Sequence, residues 1–559
     1  MADATSINVS KEKILELLRS GAEKKFIIPE YQRPYAWTDD EVNTLMDDLI
    51  AYNTATPKSD YFLGCIVTYD NAEGDQEVID GQQRLTTLFL LMRALYSKLE
   101  TSSDSPERSH LMPLIASTLW VTDDTTGIPS RDQILIETKA INDNSSLDTI
   151  LKTGESPIEA KDNYAQNYRL LQNRIEQYIR EEPLIFYRFV ANLLNRVIVL
   201  PINADSQDTA LRIFNTLNDR GLPLSDADIF KSQLYSSAGI HKDQLINDWQ
   251  ELEADAARIG VTMQTLFTQN MFIMRATEGD HKTTTPAVRT YYGAEEFDRL
   301  KNKTSLDDLR IILNLWQVVY LHESLEHELW SKNSDILQVL DILNEYPNEF
   351  WKYPAVTYYW KYHTDLNFEN KFLPFLRHLT AELIGVYALS PTVNSIKQSV
   401  LNLDERIIKT STPTFEFKKV DIAQFKEELA TPHYRLVRPL LKLVAYANPE
   451  QRDLLPEKWE IEHIFPQKWD PTHFPQLSNE QVRAQLEHLG NKTPLEKKLN
   501  IQAGNGFFSR KRQQYQQSTI AATNQLAYQC STWEIDDITK RDEQLTDLIS
   551  NTLQQWGLS

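Results

Sequence analysis

Between Trp459 and Ser518 the chain carries three short polar blocks in a fixed order, and they restrict what this end can fold into more than any other stretch. The first is Trp459-Glu460-Ile461-Glu462-His463-Ile464-Phe465-Pro466-Gln467, an apolar strand-like run that ends on a carboxylate and an imidazole and is closed by proline. The second is His488-Leu489-Gly490-Asn491-Lys492-Thr493-Pro494-Leu495; the third is Leu499-Asn500 with Phe508-Ser509-Arg510-Lys511-Arg512 and Tyr515. A carboxylate beside a histidine places a hard-metal ligand next to a general base, and a downstream asparagine adds a neutral oxygen. That donor set suits one Mg²⁺ or Mn²⁺ polarising a phosphodiester while the imidazole takes a proton from water. Taken singly, Glu462-His463 is an ordinary half-buried dipeptide and Gly490-Asn491 an ordinary turn. Three blocks in order, with a basic end, favour the site.

At these residues the chain resembles the HNH, or ββα-metal, nucleases, and within them the DUF1524 branch. The resemblance implies Glu462 as a metal ligand, His463 as the general base and Asn491 as the brace of the loop between two strands. It implies Asn500 as the second protein ligand, on the helix, and Lys511 as the residue that approaches the scissile phosphate. The chain departs from the common pattern with Glu in place of Asp before the histidine, and with Asn in place of His at the last position.

A second constrained region lies near the start. Phe26-Ile27-Ile28-Pro29-Glu30-Tyr31-Gln32-Arg33-Pro34-Tyr35-Ala36-Trp37 reads as a strand entering a proline-bounded loop, and Thr38 caps an amphipathic helix marked by Val42, Leu45, Met46, Leu49 and Ile50. Strands are predicted at 61–69 and 77–79, joined by a turn at 71–75. Next come Asp80-Gly81-Gln82-Gln83-Arg84-Leu85-Thr86-Thr87 and an apolar helix over 88–99. A glycine turn between strand and helix puts backbone N–H groups and the positive helix end where an anion can sit. Arg84 suits a phosphate and Asp80 a metal or water; an Asp80–Arg84 pair bracing a tight turn is the plainer alternative. No Gly-x-x-x-x-Gly-Lys-Ser/Thr run exists, which excludes a P-loop.

This region resembles the DUF262 domain, a relative of the ParB and sulfiredoxin nucleotide-binding fold. The resemblance implies a nucleoside triphosphate pocket, for GTP or ATP, lined by Tyr31, Gln32, Arg33, Asp80, Gln82, Gln83, Arg84 and Thr86. It extends to about Leu234 through the run Ile213–Gly221, where Asn218 and Arg220 are secondary candidates or simply cap and turn residues.

The remaining segments read more plainly. Ser10 is expected to cap a helix over 11–19 that stops at Gly21, and residues 101–163, dense in Ser, Thr, Asp and Gly, read as a loop-rich insertion with one strand. A strand is expected at 195–202 and a helix at 208–218. From 240 to 449 helix-length segments dominate, and the aromatics between Trp351 and His363 suit a base cage or, more commonly, a core. Closing helices are expected over 532–556. At 559 residues the chain is too long for one core and suggests about three domains of roughly 150 residues each.

The net charge of −21 argues against a protein coated in DNA-binding surface, but residues 492–512 carry six positive charges against one negative, a local patch. Only Cys65 and Cys530 occur, so no disulfide framework or cysteine zinc site is expected. With no secretion signal and no apolar run of membrane-spanning length recognised, the expectation is a cytoplasmic protein without a membrane partner.

The fold expected is helix-rich α+β: a ParB/sulfiredoxin-like N-terminal α/β domain (1–239), an all-helical connecting domain (240–449) and a C-terminal HNH ββα-metal domain (450–559). Proteins pairing a DUF262 front with a DUF1524 back resemble the type IV, modification-dependent, GmrSD-like restriction and phage-defence endonucleases. The resemblance implies a nucleotide-regulated, Mg²⁺- or Mn²⁺-dependent enzyme. It would cut double-stranded phage DNA, modified or foreign, for example carrying glucosylated hydroxymethylcytosine, with a homodimer left open. The competing expectations are a nucleotide-binding sensor whose HNH-like end grips DNA or a partner without cutting, and an RNA-cleaving toxin.

Overall fold

A computed structural model describes residues 7–559 except 33, 56–58, 124, 140–145, 158, 208, 211–212, 214–224 and 469–478. Arg33, Asn218 and Arg220 therefore lie outside the described residues, as does most of the helix expected over 208–218. The architecture is helix-rich α+β, and it divides into two compact units, 1–246 and 247–559.

The first unit is built on a mixed seven-stranded sheet. Its strands are β1 (Ile7–Val9), β2 (Glu12–Lys13), β3 (Phe26–Ile28), β4 (Tyr61–Asp70), β5 (Gln76–Asp80), β8 (Ile136–Thr138) and β9 (Val197–Ala204), in the order β1-β9-β4-β5-β3-β8 with β2 also on β9. Two short strands, β6 (Trp120–Thr122) and β7 (Pro129–Ile134), form a separate ribbon. β3 runs parallel to β5 and β8, while β4 is antiparallel to β5 and parallel to β9. The β3 and β5 ends that lead into the two polar motifs are thus the same end of neighbouring strands. Against the sheet lies helix Gln82–Glu100, which is almost wholly buried because its apolar residues run all round it. Helix Asp39–Thr54 begins at the expected Thr38 cap, which forms a capping box with Glu41, and buries Val42, Leu45, Met46 and Leu49.

Two local expectations are corrected. The first helix is Ile14–Ser20, not 11–19, because Glu12–Lys13 pair with β9 and Lys13 takes the cap position. The segment 101–163 is not mainly loop. It holds helices Pro106–Leu119, begun by a Ser105 cap with proline at the first turn, and Ser146–Thr153, together with β6, β7 and β8. Its polar residues serve as caps and exposed faces around Leu111, Ile115, Leu147, Ile150 and Leu151, which are buried.

The second unit is helical up to residue 446 and then adds a two-stranded antiparallel hairpin, β10 (Trp459–His463) and β11 (Lys492–Glu496). The aromatic run at 351–363 is core. Trp351, Tyr358 and Tyr359 are fully buried, with Tyr358 stacked 4.1 Å from Phe375 and Trp351 edge-on to Trp316. Arg438 ties helix Val437–Tyr446 to the hairpin: its guanidinium pairs with Glu345 and lies 3.9 Å above the Trp459 ring. One helix, Phe368–Leu389, is long and apolar enough by composition to cross a membrane, contrary to expectation, yet 72 % of its apolar window is buried among neighbours, as in a core helix.

Candidate active site

The hairpin register sets the geometry at the C-terminal site. Glu462 pairs with Thr493 and His463 with Lys492. Successive strand residues point to opposite faces. Glu462 accordingly turns into the core, while His463 stays half-buried on the other side. Helix Lys497–Ala503 follows β11 directly and packs on β10, which gives the order strand, strand, helix.

Asn491 holds the turn after β10. Fully buried, its Oδ1 accepts the Phe465 N–H at 2.6 Å, and its Nδ2 donates to the carbonyls of Leu486 (3.0 Å) and Phe465 (3.3 Å). Its own carbonyl accepts the Ile464 N–H at 2.8 Å. The two residues after His463 are therefore fixed through one side chain and one carbonyl. The imidazole Nε2 is 3.1 Å from the Gln467 carboxamide nitrogen and 3.8 Å from Glu487 Oε1. With Gln467 donating, Nε2 is the unprotonated nitrogen and its lone pair accepts that bond, so Gln467 must give way to water before Nε2 acts as a base. Burial pushes the His463 pKa down, Glu487 opposes this, and Lys492 and Lys511 push it further down. The imidazole is thereby held neutral around pH 7.

Glu462 is engaged from one helix. Lys511 Nζ is 2.8 Å from Glu462 Oε1, and the Tyr515 hydroxyl donates to the same oxygen at 2.8 Å. Lys511 also donates to the His463 carbonyl. This corrects the expected role of Lys511, which is buried against the hairpin and holds the Glu462-His463 backbone instead of projecting toward a phosphate. Burial lowers its pKa, and Glu462 counters that. Tyr515 closes the third block without a role assigned from sequence, although its spacing of four from Lys511 puts both on one helix face. Glu487, Gln467, Arg541 and Asp542 carry no such signal and are brought in only by the fold.

The basic patch is smaller than the sequence count. Lys492 pairs with Glu487, Arg512 donates to the Ala527 carbonyl, and Lys511 is buried, which leaves Lys498 and Arg510 exposed together with Lys497, whose Nζ lies 4.0 Å from Glu460.

Asn500 lies half-buried on helix Lys497–Ala503. Among the described residues no three His, Cys, Asp or Glu side chains cluster for a metal. As donor types, the carboxylate of Glu462 and the carboxamide of Asn500 suit Mg²⁺ or Mn²⁺, which are commonly held by one or two protein oxygens with water and substrate phosphate completing the shell. An ion at Glu462 would share the carboxylate with Lys511 and Tyr515.

In the first unit the fold brings the two N-terminal motifs together. Gln32 donates to the Ile79 carbonyl at 3.2 Å; Gln83 accepts from the Ala36 and Trp37 N–H groups (2.6 and 3.1 Å) and donates to the Pro34 carbonyl at 3.2 Å. Gln32 and Gln83 thus brace loops, and Tyr31 and Thr86 are buried. Tyr31 lies 5.3 Å from the Tyr235 ring and shares Glu77 with Tyr69. Gln82 is also enclosed, whereas Asp80 and Arg84 stay half-exposed at the N-terminus of helix Gln82–Glu100. Gly81 caps that helix at φ +83°, a conformation that favours glycine. Arg84 Nη1 donates to the Cys65 carbonyl at 2.9 Å, and Gly64, at φ +125°, leaves room for it: a Cβ there would lie 2.7 Å from that nitrogen.

Both sites fall within segments that match known families. The GmrSD restriction endonuclease N-terminal domain matches residues 14–235, and the GmrSD restriction endonucleases C-terminal domain matches 419–548. The second match takes in helices Ile422–Ala430 and Val437–Tyr446, which the sequence reading assigned to the connector. No curated protein matches the chain.

Proposed function

We propose that this chain, which belongs to the GmrSD restriction endonucleases, cuts double-stranded DNA in phage defence at the β10–β11 hairpin, with His463 as the general base. The observation that carries this is the state of His463. It is a half-buried imidazole kept neutral by its surroundings, with its own carbonyl held by Lys511 and the two residues after it held by Asn491. In this HNH-like reading His463 takes a proton from the attacking water. Glu462 and Asn500 would hold Mg²⁺ or Mn²⁺, which supplies charge neutralisation at the phosphate when bound. Lys497, Lys498 and Arg510 give a small cationic face for the backbone.

The first unit, read as ParB/sulfiredoxin-like, supplies nucleotide control. Gly81 and Arg84 at a helix N-terminus form the anion-binding end for GTP or ATP, Asp80 beside them suits a metal or water, and Gln32 and Gln83 keep the flanking loops in place. The preferred target is phage DNA carrying a bulky modification such as glucosylated hydroxymethylcytosine. Plasmid and phage DNA incubated with the full chain, Mg²⁺ or Mn²⁺, with and without nucleotide, test this. Metal-dependent breakage that His463→Ala removes is expected. Breakage unchanged in that variant would show the site to be elsewhere.

A further inference from the structure

The loop that carries Asn491 is itself gripped by the C-terminal helix, Ile535–Gln555. Asp542 Oδ1 accepts the Gly490 N–H at 2.6 Å, and its Oδ2 lies 2.7 Å from His488 Nδ1. Next to it, Arg541 Nη1 donates to the carbonyls of Gly490 (2.8 Å) and Lys492 (2.7 Å). Donor and acceptor of the same glycine are thus both taken by one turn of one helix. The approach is close enough to require glycine: a Cβ on residue 490 would lie 2.3 Å from the Ile538 carbonyl oxygen and 2.8 Å from the Asp542 nitrogen. Both charged side chains are buried, so each contact is made away from competing water, where losing a partner is expensive.

The helix is anchored at its far end. Lys426 pairs with Asp547 at 2.6 Å, the Val420 N–H donates to the Ser559 carbonyl at 2.9 Å, and Leu558 fills the space over Gly385. A continuous set of contacts therefore runs from helices Phe368–Leu389 and Ile422–Ala430, through the C-terminal helix, to Gly490, Asn491 and the residues after His463.

We infer that Arg541 and Asp542 are positioning residues: they set the 488–492 loop, and through Asn491 they fix where the His463 imidazole stands. The inference rests on the nuclease reading above for its effect on rate, but not for its effect on structure. Neither side chain touches the imidazole.

The test uses the full chain with two readouts. One is DNA cutting resolved into kcat and KM. The other is amide hydrogen exchange across 464–467, where the Ile464 and Phe465 N–H groups bond to Asn491. Asp542→Ala is expected to lower kcat roughly 10- to 100-fold, the cost of a displacement of about 1 Å in a catalytic group. KM should stay close to the wild-type value, and exchange at 464–467 should speed up locally. Asp542→Asn, whose Oδ1 still accepts the Gly490 N–H, should recover most of both. Unchanged kcat and unchanged exchange in Asp542→Ala would overturn the inference, as would a uniform rise in exchange over the whole unit with a normal rate per folded molecule. If Asp542→Ala does not fold, Arg541→Lys, which keeps the charge but reaches one carbonyl, is read the same way: local loosening with lower kcat supports the inference, and wild-type behaviour overturns it. If the wild-type chain cuts no DNA, the nuclease reading fails, while exchange in the variants still decides whether the clamp holds the loop.

Discussion

Replacing Asn491 by alanine removes one acceptor and two donors from a fully buried position and exposes no new partner for what they held. The Phe465 N–H loses its 2.6 Å bond, and the Leu486 and Phe465 carbonyls lose theirs. A buried polar group deprived of its partner costs about 1–3 kcal/mol. The three share one neighbourhood and do not add fully, so about 3–5 kcal/mol is expected in total. At about 2.1 cal/mol/K per residue the unit 247–559 shifts by about 1.5 °C per kcal/mol, so thermal unfolding should fall by roughly 5–8 °C. The same change frees the backbone just after His463, and cutting should drop on the order of 100-fold in the molecules still folded. Asn491→Asp separates the parts. It keeps the acceptor but turns a carboxylate toward two carbonyl oxygens, so it should be the more damaging variant at pH 8. It should recover in part at pH 5, where a protonated carboxyl donates one bond. Unfolding followed by circular dichroism and plasmid nicking on the same preparations provide the assay. An Asn491→Ala chain within about 0.5 kcal/mol of wild type that nicks DNA normally would refute the bracing role.

Three further outcomes follow from the geometry. Burial and two nearby lysines lower the His463 pKa, so the acid limb of the cutting profile should lie below the ordinary imidazole value of about 6.5; Lys492→Gln should move it up and Glu487→Gln down, and a limb above 6.5 would contradict the assignment. Gly64→Ala forces a Cβ to within 2.7 Å of Arg84 Nη1 in a backbone conformation unfavourable to alanine, so calorimetry should show weakened nucleotide binding, while nicking measured without nucleotide stays normal. Asp404 is fully enclosed and its pKa is raised well above the carboxylate range by burial. The folded state then holds a proton that the unfolded chain gives up above its ordinary pKa of about 3.9, so this site loses stability as pH rises. Asp404→Asn should accordingly be more stable than wild type at pH 8, with the gap closing toward pH 4; a gap that widens on acidification would reverse the sign.

Much of the site was legible because it is local. The Thr38 cap and the β4–β5 turn depend on neighbours within a few residues and formed where sequence put them; the strand-Gly-helix step at Gly81 formed too, but its helix, expected over 88–99, begins at Gln82 because Gly81 already caps it. What sequence missed depends on partners far along the chain. Lys511 reads as one more cation in a basic stretch, and only the packing of its helix on β10 turns it inward to Glu462, 49 residues away. Gln32 and Gln83 look like ligand-binding amides, yet their partners are backbone groups on facing loops. Segment 101–163 was misread because its Ser, Thr and Asp density concealed helices whose apolar faces are narrow. Nothing near 490 pointed to residue 542, since that contact is made by the fold alone.

The central claim, that the hairpin is a metal-dependent DNA-cutting site, is tested most directly by nicking of phage DNA by the purified full chain in Mg²⁺ or Mn²⁺, beside His463→Ala checked for native unfolding. The account predicts cutting by the wild type, none by the variant, and none by either with the metal chelated. Equal cutting by both chains, or cutting that survives chelation, would contradict it.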